Sequence, residues 1–223
     1  MRILHLTVAA LLVTTMPLAA QAPKKKADPA FSKIVDDPKL PRVLLIGDSI
    51  SIGYTAPTRE LLKGQANVHR IQENSIDTKN GVAKLQGWLG EGKWDVIHFN
   101  WGLHDIKTGT GSQQVSIGDY EKNLTEIVRR LKATGAKLIW ASTTPVPDAK
   151  QNPPRSNDDV KAFNKVARKI MEENGVAIDD LYAFVEPRQK ELQRPANVHF
   201  TDVGSAALAE QVAASIRKAL PSR

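Results

Sequence analysis

Short apolar runs alternate with amphipathic stretches from residue 43 onward, and that alternation sets the expected fold. Residues 43–46, Val-Leu-Leu-Ile, form a compact β-branched and aliphatic run behind Pro41 and Arg42, the mark of a strand buried on both faces. Similar patterns predict strands over 67–71, 94–101, 137–141 and 176–178. Between them, apolar residues recur at helical spacing. A helix is expected near 54–63, and a second near 82–89 with Val82, Leu85 and Leu89 on one face. Tyr120, Leu124, Ile127, Val128 and Leu131 trace a third, stopped by Gly135. Val160, Phe163, Val166, Ile170 and Met171 mark a fourth that closes at Gly175, and Val203, Ala207, Val212, Ile216 and Leu220 mark the last. Strand–helix alternation predicts an α/β chain: a five-stranded parallel sheet, helices on both faces, and loops converging at the carboxyl ends of the strands.

The amino-terminal region breaks this pattern. Met1-Arg2, an apolar stretch to Met16 and the small-residue end Ala20-Gln21-Ala22 read as a signal peptide over 1–22, so the protein is expected to be exported. The apolar stretch is short for a membrane span, which needs about 20 residues. Residues 23–39, with Lys24-Lys25-Lys26, read as a mobile leader, and 40–223 as a single domain. The chain has no cysteine, which excludes disulfides, thiolate chemistry and Cys-ligated metal. Its net charge of +7 is partly in the leader and otherwise spread over helical faces such as Arg129-Arg130 and Arg168-Lys169. No basic stripe is interleaved with aromatics, so nucleic acid is not an expected partner. Neither a metal nor another cofactor is expected, and no stable membrane insertion once the signal is removed.

The candidate chemistry begins where the first strand ends. In Gly47-Asp48-Ser49-Ile50-Ser51 the glycine permits a tight turn and Ser49 falls at the strand's carboxyl end, entering a helix. There a hydroxyl can be exposed among free backbone N–H groups. The same segment also reads as a helix N-cap, and alone it does not choose. A nucleophilic serine needs a base. His5 is in the signal, His69 lies in a strand pattern, and His98 sits mid-strand as a packed core residue. His104 and His199 remain, the latter in Pro195-Ala196-Asn197-Val198-His199-Phe200-Thr201-Asp202-Val203-Gly204.

Together these blocks resemble the SGNH/GDSL hydrolases over most of the chain beyond the leader. The resemblance implies a three-layer α/β/α sandwich of flavodoxin-like type, and activity on esters. Ser49 matches the family's nucleophile and His199 its base. The glycine block matches Asn74-Ser75-Ile76-Asp77-Thr78, with Ile76 standing where glycine is usual, so that the oxyanion donors would be the backbone N–H groups of Ser49 and Ile76. The family's asparagine falls on His104 within residues 95–105; a neutral imidazole can replace the amide donor, with Asn100 as the rival. The family's acid, three residues before the histidine, falls on Ala196, so the resemblance implies a Ser–His dyad oriented by a backbone carbonyl or another polar group. Asp202 is read as a helix cap. Trp101, Asn100, Asn74 and the loop 143–147 are candidate substrate contacts.

The function expected is that of an exported serine esterase acting on short-chain, chiefly acetyl, esters of carbohydrate. A lysophospholipase- or thioesterase-like lipid esterase is the enzymatic rival, and a non-catalytic glycan-binding protein on the same fold is the other class. The partner is then a small-molecule or polysaccharide ester; the oligomeric state is not read from the sequence.

Overall fold

The computed structural model describes residues 28–109 and 115–221. The expected signal peptide lies outside the described residues, as do 110–114 of the Gly/Thr-rich loop. Five strands form one parallel sheet: β1 Arg42–Ile46, β2 Asn67–Arg70, β3 Val96–Phe99, β4 Lys137–Ala141 and β5 Ala177–Asp179, in the order β2-β1-β3-β4-β5. Among the described residues seven α-helices connect and follow them: α1 Ser49–Leu61, α2 Thr78–Leu89, α3 Ile117–Lys132, α4 Asn157–Asn174, α5 Leu181–Val185, α6 Gln189–Leu192 and α7 Asp202–Ala219. Helix α1 packs on α7, while α2 packs on α3 and α3 on α4, so the sheet is the middle of three layers. The expected α/β/α sandwich is the fold observed. The two short helices α5 and α6 carry too few residues for a helical period to show in the sequence.

The central strands are closed on both faces. Val43, Leu45, Ile46, Val96, Ile97 and Phe99 are fully buried, which is why these strands read as unbroken apolar runs. The chain order reverses at β1, between its neighbours β2 and β3. The carboxyl ends of β1 and β3 therefore open the crevice where sheets of this order place ligands. Ser49 follows β1 directly.

Two expectations are corrected by packing. The described part of the leader is pinned: Ala30 is buried in a 3-10 turn, Pro29–Phe31, whose Pro29 carbonyl accepts from Arg59 Nη1 at 2.8 Å. Asp37 and Asn67 exchange hydrogen bonds, and Asp36 binds Arg42 and His69. Trp101, expected beside substrate, is a core residue at 1% exposure, stacked on Trp88 and lying near Phe99. A strand buried on both faces gives no alternation from which to tell which side chain meets solvent.

Candidate active site

The turn after β1 is built to present Ser49. Asp48, 3% exposed, is the N-cap of α1, its carboxylate accepting from Ile50 N–H at 2.9 Å. The capping that Ser49 was a candidate for is thus done by Asp48. Ser49 is the first residue of the helix, and its N–H has no acceptor among the described residues. Gly47 is required by close approach: a Cβ there would sit 2.7 Å from Ser51 Oγ. Beneath the turn, Arg70 donates to Ser51 Oγ at 2.5 Å, to Gly47 O at 2.9 Å and to Asp48 O at 3.2 Å. Burial pushes this guanidinium down to about 10. No sequence signal marks Arg70: β2 reads Asn67-Val68-His69-Arg70, so an arginine there does not stand out from its polar neighbours.

His199 lies in the loop before α7, with Nε2 2.9 Å from Ser49 Oγ. Its other nitrogen, Nδ1, is 2.8 Å from Asn197 Oδ1, and the same Oδ1 accepts the His199 backbone N–H at 2.9 Å. A backbone N–H can only donate, so the oxygen of Asn197 must face the histidine. Nδ1 then carries the proton, and Nε2 presents a lone pair to the serine. Asn197 supplies the polar group expected in place of the missing acid. Ala196 allows it by taking φ +50°, which turns the loop back on itself. Asp202 takes no part in this contact; it lies in the first turn of α7, which Thr201 caps. Burial lowers the His199 pKa against the opposing charge of Asp48.

His104 sits in the loop after β3. Its Nδ1 is 2.8 Å from Lys107 Nζ. An ammonium only donates, so Nδ1 accepts and the ring proton lies on Nε2. Burial also lowers this histidine's pKa, again opposed first by Asp48, so both imidazoles stand within electrostatic reach of the residue preceding Ser49. The next residue, Asp105, anchors the loop: its Oδ1 accepts from Thr78 N–H at 2.9 Å and Thr78 Oγ1 at 2.6 Å. Burial raises that carboxyl to about 7.

Four other expectations change. The Ile76 N–H is engaged by Asn74 Oδ1 at 2.8 Å, so it is not free for an oxyanion. Ile76 holds φ +57°, the left-handed region that explains why glycine is usual there. Asn74, expected at substrate, has its carbonyl turned onto that backbone. Asn100 spends its amide donor on Ala141 O at 2.8 Å and Thr143 Oγ1 at 3.4 Å. Residues 143–146 are buried rather than lining a wall; Thr143 Oγ1 donates to Trp101 O at 3.2 Å. His98 is a core residue, as expected, 3.0 Å from Asp179 with both side chains fully buried.

A groove of about 410 Å³ opens beside Ser49 and His199, between the Pro29 turn, α1 and the start of α7. Among the described residues no helix is long and apolar enough to cross a membrane, and no group of three His, Asp or Glu is gathered as metal ligands.

Comparison with known proteins gives a consistent picture. Residues 45–207 match the model of the GDSL-like lipase/acylhydrolase family. Among solved structures, a lipase/acylhydrolase from Enterococcus faecalis aligns with TM-score 0.71 at 20% identity, covering 82% of this chain and 98% of that one. An acetyl xylan esterase aligns with TM-score 0.69 at 17% identity, covering 78% and 99%. An acetylxylan esterase from Geobacillus stearothermophilus aligns with TM-score 0.68 at 19% identity, covering 82% and 97%. No curated protein matches the sequence.

Proposed function

The chain belongs to the GDSL-like lipase/acylhydrolase family and is an ester-hydrolysing enzyme, and from that premise we propose that it removes short acyl groups, chiefly acetyl, from carbohydrate after export. The observation that carries the mechanism is the relay Ser49 Oγ, His199 Nε2, His199 Nδ1, Asn197 Oδ1, with steps of 2.9 and 2.8 Å. Ser49 Oγ attacks the ester carbonyl while Nε2 takes its proton. Asn197 holds the ring in the tautomer and orientation this needs, the main task of the acid in a triad. The carbonyl oxygen becomes an oxyanion, held by the Ser49 N–H and the Nε2–H of His104. His104 is preferred to Asn100 because the amide of Asn100 is already spent. Collapse breaks the bond to the alcohol oxygen, which takes the proton from Nε2. Water, deprotonated by the same nitrogen, then attacks the acyl-serine, and the acid leaves with Ser49 and His199 restored.

Burial keeps His199 neutral to lower pH than an ordinary imidazole, which favours a base active in mildly acid surroundings. The acetyl preference is supported by the acetyl xylan esterases among the structural neighbours. The test is labelling by a fluorophosphonate together with hydrolysis of p-nitrophenyl esters of increasing acyl length. Wild type should label and prefer acetyl; Ser49→Ala should do neither. A wild type that neither labels nor hydrolyses sinks the reading, and a preference for long acyl chains gives the lipid-esterase alternative.

A further inference from the structure

The groove of about 410 Å³ beside Ser49 has a lining that says which half of an ester it takes. In the tetrahedral intermediate the oxyanion and the leaving oxygen are different substituents of one carbon. The leaving oxygen must lie against His199 Nε2, which protonates it, and the oxyanion against its donors. His199 and Ser49 line this groove; neither His104 nor Ile76 does. That lining, with the proton donor to the leaving oxygen and without His104, is the one expected on the alcohol side of the scissile bond.

Its surface is mixed in a particular way. Ile52, Ala56 and Pro57 from α1, Pro29 from the amino-terminal turn and Phe200 supply an apolar bed. Polar groups rim it: Asp28, Asp202, Arg194 and Ser205. The helix adds one more acceptor. Pro57 has no N–H, so the carbonyl of Gly53, four residues earlier and also in the lining, lacks its helical donor. The Pro29 wall is fixed rather than loose, held by Arg59 and by the burial of Ala30.

We propose that this groove seats the leaving alcohol and that its occupant is an uncharged sugar ring. The proposal rests on the Ser49–His199 reading above. A pyranose offers an apolar C–H face to the bed and hydroxyls to the rim. Among the described residues, an anionic alcohol, such as a phosphorylated glycerol or a uronate, would meet two carboxylates against one guanidinium, whose Nε is already given to Phe200 O at 3.0 Å. This local balance opposes the net charge of +7 carried by the whole chain, which would otherwise point to acidic polysaccharide.

The test compares three acetyl esters with the full chain: vinyl acetate, whose leaving group is too small to reach the groove, an acetylated methyl xyloside, and an acetylated methyl glucuronide. Wild type should show kcat/KM at least tenfold higher for the xyloside than for the glucuronide. Ala56→Trp, which fills the bed, should lower kcat/KM on the xyloside tenfold or more through KM and change vinyl acetate less than twofold. Asp202→Lys, on the exposed rim, should raise the glucuronide relative to the xyloside, and this selectivity remains readable should the tryptophan variant fail to fold. A glucuronide preferred by wild type, equal losses on all esters in Ala56→Trp, or no loss at all would overturn the assignment. If wild type cleaves vinyl acetate without discriminating the sugars, the groove assignment falls alone. If it cleaves none of the three, the esterase reading falls with it.

Discussion

His199 and His104 are two half-buried imidazoles within electrostatic reach of Asp48, both with lowered pKa, yet their ring protons sit on opposite nitrogens. At His199 the partner of Nδ1 is an amide oxygen, which accepts; at His104 it is an ammonium, which donates. The first leaves Nε2 as a base, the second leaves Nε2 as a donor. The same side chain is thus given two roles by one neighbour each. A third histidine sharpens the point. His98 has a carboxylate partner, Asp179, nominally the stronger orienting group, but both side chains are sealed in the core beside the buried ring of Tyr54. Neither the histidine nor its partner alone makes a site; the nitrogen left over must face a reacting group.

The largest expected effect comes from breaking the base's side of the comparison. Asn197→Ala should leave His199 free to rotate and to take either tautomer, lowering kcat roughly 10²–10³-fold with KM little changed, since correct orientation is most of what the third residue provides. Asn197→Asp should keep the geometry and add a negative charge beside the imidazole. That charge raises the His199 pKa, and because the neutral ring is the base, the acid limb of kcat/KM should move to higher pH. A pH–rate profile for both variants checks this. An alanine variant as fast as wild type would show that His199 needs no third residue.

A smaller effect is expected from the donor's side. Without the ammonium, His104 can place its proton on Nδ1 and lose the Nε2–H, so Lys107→Met should lower kcat about tenfold near pH 8, short of the 10²–10³ of full donor removal. The pH dependence is the diagnostic. Lys107 also opposes protonation of His104, so its removal raises that pKa. A protonated His104 donates from both nitrogens, and the ratio of variant to wild type should therefore recover as pH falls. Lys107→Arg, which still donates, should be close to wild type. A loss that is constant with pH and not rescued by arginine would make Lys107 a structural residue only.

These pairings explain where the sequence was readable. The strands, the switch crevice, Ser49 and His199 follow from apolar runs and from two blocks at opposite ends of an α/β chain. Asn197 and Lys107 do not, because each acts through a loop with no period: Asn197 reaches His199 only because Ala196 turns at φ +50°, and Lys107 reaches His104 across a turn of three residues. Trp101 was misplaced for the opposite reason, since it follows a strand so uniformly buried that its pattern names no outer face. Arg70 was hidden because arginine is rarely buried, and apart from Ser51 Oγ its partners are backbone carbonyls that a sequence does not display.

The smallest expected effect concerns the third donor, the Ile76 N–H. If Asn74 serves only to close the turn over that N–H, Asn74→Ala removes one partly exposed hydrogen bond and should cost about 0.5–1.5 kcal/mol, a fall in Tm of about 1–6 °C for a chain of this size. The same substitution releases the N–H toward the crevice, so kcat should stay level or rise a few-fold. The sequence reading of Asn74 as a substrate contact demands the reverse: stability nearly unchanged and kcat/KM reduced through KM. Ile76 makes the outcome decisive. Its left-handed φ depends on the turn that Asn74 closes, and a β-branched residue released from that turn can relax to φ below zero, turning its N–H elsewhere. Adding Ile76→Gly to Asn74→Ala restores the conformational freedom for a left-handed turn. If the double variant alone gains activity, the N–H is a latent third donor held out of use by Asn74; if neither variant gains, the oxyanion is left to Ser49 and His104.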